Sequence, residues 1–275
     1  MPNIKPAIAS ICLLLALLLP VQSVAVTPNI ALPEQLGKIV FQSPIAEKRR
    51  VYILLNSHRS AQDGANGART LQAQMETYRI GEWQISHGLL NLLLPEGFFG
   101  RWRNKIVPTE NLLAPAELRK QLNDTSRFVN AELLLHENFG IGLQQIEDRQ
   151  LYRQIRAQLS LASQTENRTS NQVAQQLKYL QKRRTAMIMQ NIPSAIDTAF
   201  QQEKGVPQAA MLTIGLAHLE ELLLCLENGE ISIAGQQSFP ALHNGLELLK
   251  EKVSVTVIVP PSLLDLLPEK YRAKA

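Results

Sequence analysis

The fold is decided by one stretch of the chain, which runs Ala209-Ala-Met-Leu-Thr-Ile-Gly-Leu-Ala-His-Leu-Glu-Glu-Leu222. It opens with an apolar run that includes Thr213 and predicts a buried strand, and Gly215 ends that strand. His218 then begins an amphipathic run to Cys225, which predicts a helix. The stretch therefore delivers a histidine to the carboxyl edge of a sheet, where ligands and chemistry collect in open α/β folds.

Similar apolar runs recur along the chain, with helical patterns between them. The further predicted strands are Lys38–Phe41, Val51–Leu55, Leu89–Leu94, Ala131–Leu135 and Val253–Val259. Four main helices are predicted. The first begins after Gly67, and the second begins after Glu147-Asp148. The third is a second long helix that Pro193 breaks, and the fourth spans Ala241–Lys252. Strands that alternate with helices predict an α/β fold with a mainly parallel central sheet flanked by helices.

One segment does not fit this alternation. Phe98–Asn130 is irregular, with Arg101, Trp102, Pro108 and Pro115, and has a helical pattern only over Ala116–Leu122. We interpret it as an inserted, partly helical region that could line or cover a site.

The amino terminus predicts export. Lys5 precedes an apolar stretch over residues 7–20, and the small residues Ser23-Val24-Ala25 follow. This is the layout of a cleavable secretory signal over residues 1–25, and it would leave residues 26–275 as a single domain that is periplasmic or secreted. The alternative is an uncleaved segment that holds the protein at a membrane.

Composition narrows the function classes. The chain has 28 basic and 24 acidic residues, and residues 1–25 contain one lysine and no acid, so the remainder carries a net charge of only +3. This mild excess argues against a nucleic-acid partner and leaves a peptide or a small molecule as the expected ligand. Cys225 is the single cysteine after residue 25, so no intramolecular disulfide can form, and its apolar neighbours predict a buried, inert thiol.

An arginine interrupts the apolar stripe of the second long helix. Val173, Leu177, Leu180, Arg184 and Met187 follow one another at helical spacing. A guanidinium on a buried face needs a carboxylate, a ligand or a metal-site oxygen to offset its desolvation. The alternative is a side chain whose stem is buried and whose charged end reaches solvent.

Two histidines and one acid each follow a predicted strand. In a parallel sheet, His58, Glu96 and His218 arrive at the same edge. Two imidazoles and a carboxylate can hold a divalent metal with one position open for water, and Arg184 could then stabilise a developing oxyanion. The alternative is that these are structural histidines and a loop carboxylate. His136 also follows a predicted strand and is the reserve candidate.

These motifs resemble those of the TraB/Tiki superfamily, which includes ChaN-type haem-binding proteins and erythromycin-esterase-like enzymes. Gly215-Leu-Ala-His218 matches its second Gly-x-x-His motif. Arg184, with Ile188 and Ile192, matches its helix motif, and Glu96 fits its acidic residue after the second core strand. The resemblance implies a TraB/Tiki-like domain over residues 26–275 that is a metal-dependent hydrolase of a peptide-like or ester bond, with Glu96 and Arg184 as catalytic residues.

The sequence departs from the superfamily pattern at two positions. Leu55 stands where the first motif has a glycine, and Arg183 stands where the helix motif has an acid. A side chain at position 55 could crowd the turn that presents His58. This departure favours the second hypothesis, a non-catalytic protein that binds haem or another ligand, with a histidine such as His136 as the axial ligand. A third hypothesis is an interaction module that binds neither metal nor haem.

Overall fold

The computed structural model describes residues 31–272 except 45–48, 58–66, 108–111, 127–128, 165–169, 202–207, 229–248 and 250–251. The predicted secretory signal, His58 and most of the helix predicted over Ala241–Lys252 lie outside the described residues. The strands are β1 (Lys38–Gln42), β2 (Arg49–Asn56), β3 (Leu92–Pro95), β4 (Arg101–Trp102), β5 (Gly142–Gln144), β6 (Gln208–Gly215) and β7 (Ser254–Val259). The α-helices are α1 (Ala68–Ser86), α2 (Pro115–Leu122), α3 (Ala131–Phe139), α4 (Arg149–Gln164), α5 (Ser170–Phe200), α6 (Leu219–Asn228) and α7 (Glu269–Arg272).

The strands form one mixed sheet in the order β1-β7-β2-β6-β3-β5-β4. The five inner strands are parallel, and the edge strands β1 and β4 pair antiparallel with β7 and β5. The predicted fold class is therefore confirmed. Buried apolar strands of this kind need helices on both faces. The apolar cluster on one face includes residues of α5 and α6, and the cluster on the other includes residues of α1, α2 and α3.

The organising strand lies at the centre of the sheet. β6 runs between β2 and β3, with Asn56 opposite Gly215 and Pro95 opposite Thr213. Because all three strands are parallel, the residues that follow them meet at one edge of the sheet. Leu55 is fully buried in the α5 and α6 side of the core. The turn that follows it, which contains His58, lies among the residues that the structure does not describe.

The strand predicted over Ala131–Leu135 is wrong, because these residues begin α3. The Asn130 side chain caps this helix by accepting a hydrogen bond from the Leu133 N–H at 2.9 Å, and Gly140 ends it in the left-handed conformation. A short, mainly apolar run such as Ala-Glu-Leu-Leu-Leu suits either a buried helix or a buried strand, and here the capping residues decide for the helix. The sheet position is instead taken by the three-residue strand β5.

The break predicted at Pro193 is also wrong, since α5 continues through this residue. An interior proline costs a helix about 3 kcal/mol because it lacks an N–H and crowds the preceding turn. Buried apolar side chains on both sides of it, including Met189, Ile192 and Ile196, belong to the same core cluster. Packing of this stripe against the sheet holds the two halves of α5 in one helix.

The inserted region is partly helical, as predicted, but it also supplies a strand. Its helix is α2, whose buried residues Leu118 and Leu122 pack in the α1 side of the core. β4, at its start, pairs with β5 and forms one edge of the sheet.

Candidate functional site

Glu96 lies directly after β3, at the carboxyl edge of the sheet. Its own N–H donates to the Thr213 carbonyl at 3.0 Å, and its Oε2 accepts the N–H of Gly215 at 2.6 Å. These two bonds tie the acid to the end of the neighbouring strand β6. The side chain is only 6% exposed, so the carboxylate is held inside the edge of the sheet and not in solvent.

A second acid, Glu147, enters the site from the segment that follows β5. Its side chain is 1% exposed, and Oε1 accepts the Gly97 N–H at 2.5 Å. Burying a carboxylate this completely is costly unless donors surround it. The backbone N–H of Gly97 is one such donor, and the guanidinium of Arg184 supplies the others.

Arg184 extends from α5 between the two carboxylates. Its Nε and Nη2 donate to Glu147 Oε2 and Oε1 at 2.6 and 2.7 Å, and Nη1 lies 2.7 Å from Glu96 Oε1. The ring of Tyr152 lies 5.3 Å from the guanidinium carbon. The structure therefore decides the question that helical spacing left open, because the arginine on the apolar stripe is bound by carboxylates.

The charge of Arg184 is stabilised by these partners. Burial opposes the charged form, but the hydrogen bond to Glu147 and the negative charges of Glu96 and Glu147 outweigh burial and raise the pKa of Arg184. A two-point guanidinium–carboxylate bond also fixes direction as well as charge. Arg184 therefore stays charged and holds both carboxylates in position.

His218 completes the cluster from the short 3₁₀ turn after β6. The residue is 6% exposed, its Nε2 lies 3.5 Å from Glu96 Oε1, and its Nδ1 lies 2.6 Å from the hydroxyl of Thr185. Thr185 is the residue after Arg184 on α5, so one turn of one helix orients both the acid and the imidazole. The structure brings together three of the predicted residues: Glu96, Arg184 and His218.

Thr185 influences which nitrogen of His218 carries the proton. Its hydroxyl also donates to the Gln181 carbonyl at 3.1 Å. A hydroxyl has a single hydrogen, so one that donates to Gln181 must accept from Nδ1–H of the imidazole. In that arrangement the neutral ring presents the lone pair of Nε2 towards Glu96.

The donor atoms in the described residues fit two positions of a metal site. Ligand atoms about 2.0 to 2.2 Å from a tetrahedral zinc lie roughly 3.4 Å from each other, close to the separation of Nε2 and Oε1. The hydrogen bond to Thr185 is the kind of outer contact that orients a metal-binding imidazole. Within the ranges that the structure describes, no group of three His, Cys, Asp or Glu side chains could hold a metal. The third predicted ligand, His58, lies outside those ranges.

The oxyanion role predicted for Arg184 stays a prediction, and its guanidinium already binds both carboxylates. Nε and Nη2 are used by Glu147, and Nη1 is used by Glu96. One N–H on Nη1 and one on Nη2 remain after these three contacts. In the geometry observed, Arg184 acts as a positioning residue for the acid.

His136 is not part of this cluster. It lies on α3, and its Nδ1–H donates to the carbonyl of Ile141 at 2.7 Å, just before β5 begins. Because β5 is parallel to β3, this places His136 towards the amino end of these strands, whereas Glu96 follows their carboxyl end. Its ring centroid is 5.1 Å from that of Trp102.

A polar cleft of about 430 Å³ lies beside the cluster. Its lining includes Glu147, Gln144 and Arg101 from the sheet side and Asn191 and Thr198 from α5. The Gln144 Oε1 atom is buried and accepts no hydrogen bond within the described part of the protein. The cleft provides room and polar groups for a ligand next to Glu147.

Sequence reasoning missed Glu147 and Thr185 as members of the site. The sequence pattern places Glu147 only before a helix, because the three-residue strand that precedes it is too short to give a recognisable apolar pattern. The sequence signal for Glu147 is Arg184, because a buried guanidinium needs carboxylate partners and the ends of nearby strands can supply them. Thr185 has no comparable pattern in the sequence.

Comparison of the chain with protein-family models, curated proteins and solved structures found no match. The fold and site define an α/β protein with a buried Glu–Arg–Glu–His cluster at the carboxyl edge of its sheet.

Within the described ranges, no helix combines the length and the apolar character that a membrane span requires. Cys225 is buried, as predicted.

Proposed function

We propose that this protein is an exported, TraB/Tiki-like hydrolase that cleaves a peptide-like or ester bond at the Glu96–His218 edge of the sheet. The observation that carries the proposal is the 3.5 Å separation of His218 Nε2 and Glu96 Oε1. This separation suits two donor atoms that share one divalent ion. Glu96, His218 and His58 would hold that ion.

A divalent metal bound there supplies a water whose pKa is lowered towards neutrality. The chain's own residues prepare the site. Arg184 and the Gly215 N–H hold the two oxygens of Glu96 in place, so the carboxylate cannot rotate away. Thr185 fixes the imidazole of His218. A substrate would enter from the adjoining polar cleft, which begins at Glu147.

The proposal is tested by metal binding to purified protein. Wild type is stripped with chelator and titrated with zinc and with manganese by calorimetry, in parallel with His218→Ala and Glu96→Gln. We expect each substitution to lower the affinity for the more tightly bound metal by roughly a hundredfold or more, because loss of an outer contact of a metal site alone lowers metal affinity ten- to hundredfold. His87→Ala is the matched control, since His87 is an exposed residue at the end of α1.

Hydrolysis is then measured with activated esters and with a peptide library, before and after the preferred metal is restored. Activity that returns with metal in wild type and in His87→Ala, but not in His218→Ala, supports the proposal. If wild type binds neither metal more tightly than His218→Ala does, the metal-dependent hydrolase is rejected. Thermal unfolding of each variant separates loss of the site from loss of the fold.

The alternative function is binding of haem or a related ligand. It is favoured by one contact: the Nδ1–H of His136 is fixed on the Ile141 carbonyl, which leaves Nε2 as the nitrogen for an axial iron bond. Haemin titration would give a shifted Soret band that His136→Ala abolishes and His218→Ala does not. A spectrum identical to that of free haemin rejects this alternative.

A further inference from the structure

The edge of the sheet opposite β1 carries an exposed group of cationic and apolar side chains. The segment Arg101–Ile106, which we call the basic edge, reads Arg-Trp-Arg-Asn-Lys-Ile, and all six residues are exposed. Trp102 is 44% exposed and Ile106 is 97% exposed. Isolated exposed apolar residues are ordinary, but these two are separated by only three residues and interleaved with three cations.

The backbone of the basic edge is held firmly against the sheet. Trp102 pairs with Leu143 of β5, the Lys105 N–H donates to the Gly140 carbonyl at 2.9 Å, and the Asn104 Oδ1 accepts the Gly142 N–H at 2.6 Å. These contacts fix the segment while the three cationic side chains, Trp102 and Ile106 stay exposed. The exposed groups are therefore presented from a rigid support.

Along the chain, the charge of this segment has one sign. No acidic residue occurs between positions 97 and 109. A fourth cation adjoins the segment, because the guanidinium of Arg149 lies 5.3 Å from the ring centroid of Phe99 and Nη2 donates to the carbonyl of the same residue at 3.4 Å. The region thus combines positive charge with an apolar surface.

Cations alone are explained by protection of an edge strand from pairing with another sheet. That explanation does not cover the exposed Trp102 and Ile106, which add to the risk of association. A nucleic acid would match the charge but gives no role to an isoleucine. Stacking of a base on Trp102 would also compete with the rings of Phe98 and His136, whose centroids lie 5.6 and 5.1 Å from its own.

We propose that the basic edge docks the protein on the surface of a membrane that contains anionic phospholipid. Lys and Arg side chains near such a surface are attracted to its head groups, and tryptophan is favoured at the boundary between head groups and acyl chains. Trp102 and Ile106 enter that boundary, and Arg101, Arg103 and Lys105 bind the phosphates. Arg101 also lines the polar cleft, so this contact adjoins the cleft, but the proposal does not depend on the hydrolase activity.

The test is binding of full-length protein to vesicles of phosphatidylcholine with and without phosphatidylglycerol, at low and high salt. The apolar stretch over residues 7–20 is present in every variant, so the comparison isolates the basic edge. The charge variant carries glutamine at Arg101, Arg103 and Lys105. Its matched control carries glutamine at the exposed residues Arg119, Lys120 and Lys178. The apolar variant is Trp102→Ala with Ile106→Ser.

We expect wild type to prefer anionic over neutral vesicles by at least roughly tenfold, and salt to reduce the preference. The charge variant should lose that preference, and the control should keep it. The apolar variant should bind anionic vesicles about tenfold more weakly and lose the blue shift of tryptophan fluorescence. All variants should retain the thermal unfolding transition of wild type.

Three results would overturn the proposal. Wild type could bind neutral and anionic vesicles equally, or the control could lose as much affinity as the charge variant, which would make net charge the cause. The apolar variant could also bind vesicles normally while the charge variant loses binding to duplex DNA, which would assign the basic edge to nucleic acid.

Discussion

Replacing Glu147 by glutamine should destabilise the protein strongly, although Glu147 is not one of the predicted metal ligands. The substitution keeps the shape of the side chain and removes its negative charge. The carboxylate accepts Nε and Nη2 of Arg184 and the N–H of Gly97, and it is 1% exposed. A glutamine offers one oxygen to these three donors and places its own NH₂ against some of them.

The magnitude follows from the guanidinium that remains. Removing one partner of a buried ion pair costs about 3 to 5 kcal/mol, chiefly because the other charge is left uncompensated. Arg184 still keeps its contact with Glu96, so we expect the lower end, about 3 kcal/mol. For a domain of this size, that corresponds to a fall in Tm of roughly 6 to 12 °C.

Urea unfolding followed by circular dichroism measures this change. Asp148→Asn is the control, because it makes the same change of charge one residue away, where the exposed side chain only caps α4 through the Leu151 N–H. Asparagine caps a helix as well as aspartate does, so we expect a change within about 0.5 kcal/mol. Since the neighbouring carboxylates raise the pKa of Arg184, its charge persists at alkaline pH. The effect of Glu147→Gln should therefore remain constant from about pH 7 to about pH 10.

A double-mutant cycle separates the pair from its surroundings. Arg184→Met combined with Glu147→Gln should be more stable than the sum of the single changes predicts, by at least about 1 kcal/mol. If the two changes add, or if Glu147→Gln alone unfolds like wild type, the reasoning about this buried cluster is wrong.

Three further outcomes are expected. Burial raises the pKa of Tyr78 to about 12, so its neutral form stabilises the fold below the ordinary pKa of about 10. Roughly 2 kcal/mol should then be lost between about pH 10 and about pH 12, as measured by the unfolding free energy of wild type minus that of Tyr78→Phe, and a flat difference would contradict this. Gly140→Ala should cost clearly more than Gly97→Ala in urea unfolding, because both glycines have positive φ but only at position 140 would a Cβ overlap a neighbouring backbone carbonyl; equal costs would refute the overlap. Thr185→Val should weaken metal binding by about tenfold while Thr185→Ser does not, because only the hydroxyl orients His218; equal affinities in calorimetry would remove that role.

Much of the fold can be predicted from local patterns in the sequence. The apolar runs before Asn56, Glu96 and Gly215 are strands because their residues are buried on both faces of the sheet, and burial of this kind is visible in composition. The position of Arg184 on the apolar stripe was also visible, because helical spacing fixes which side chains share a face.

Strand and helix patterns alone thus indicate that Glu96 and His218 arrive at the carboxyl edge of the sheet, and that Arg184 needs a negative partner. Only the tertiary structure decided which partners it has. Glu147 reaches Arg184 because a three-residue strand joins the sheet beside β3, and a strand that short is stabilised by its neighbours and not by its own apolar pattern. For the same reason the run at Ala131–Leu135 is a helix: a short, mainly apolar run fits either structure, and the choice rests on capping groups and on packing against distant parts of the chain.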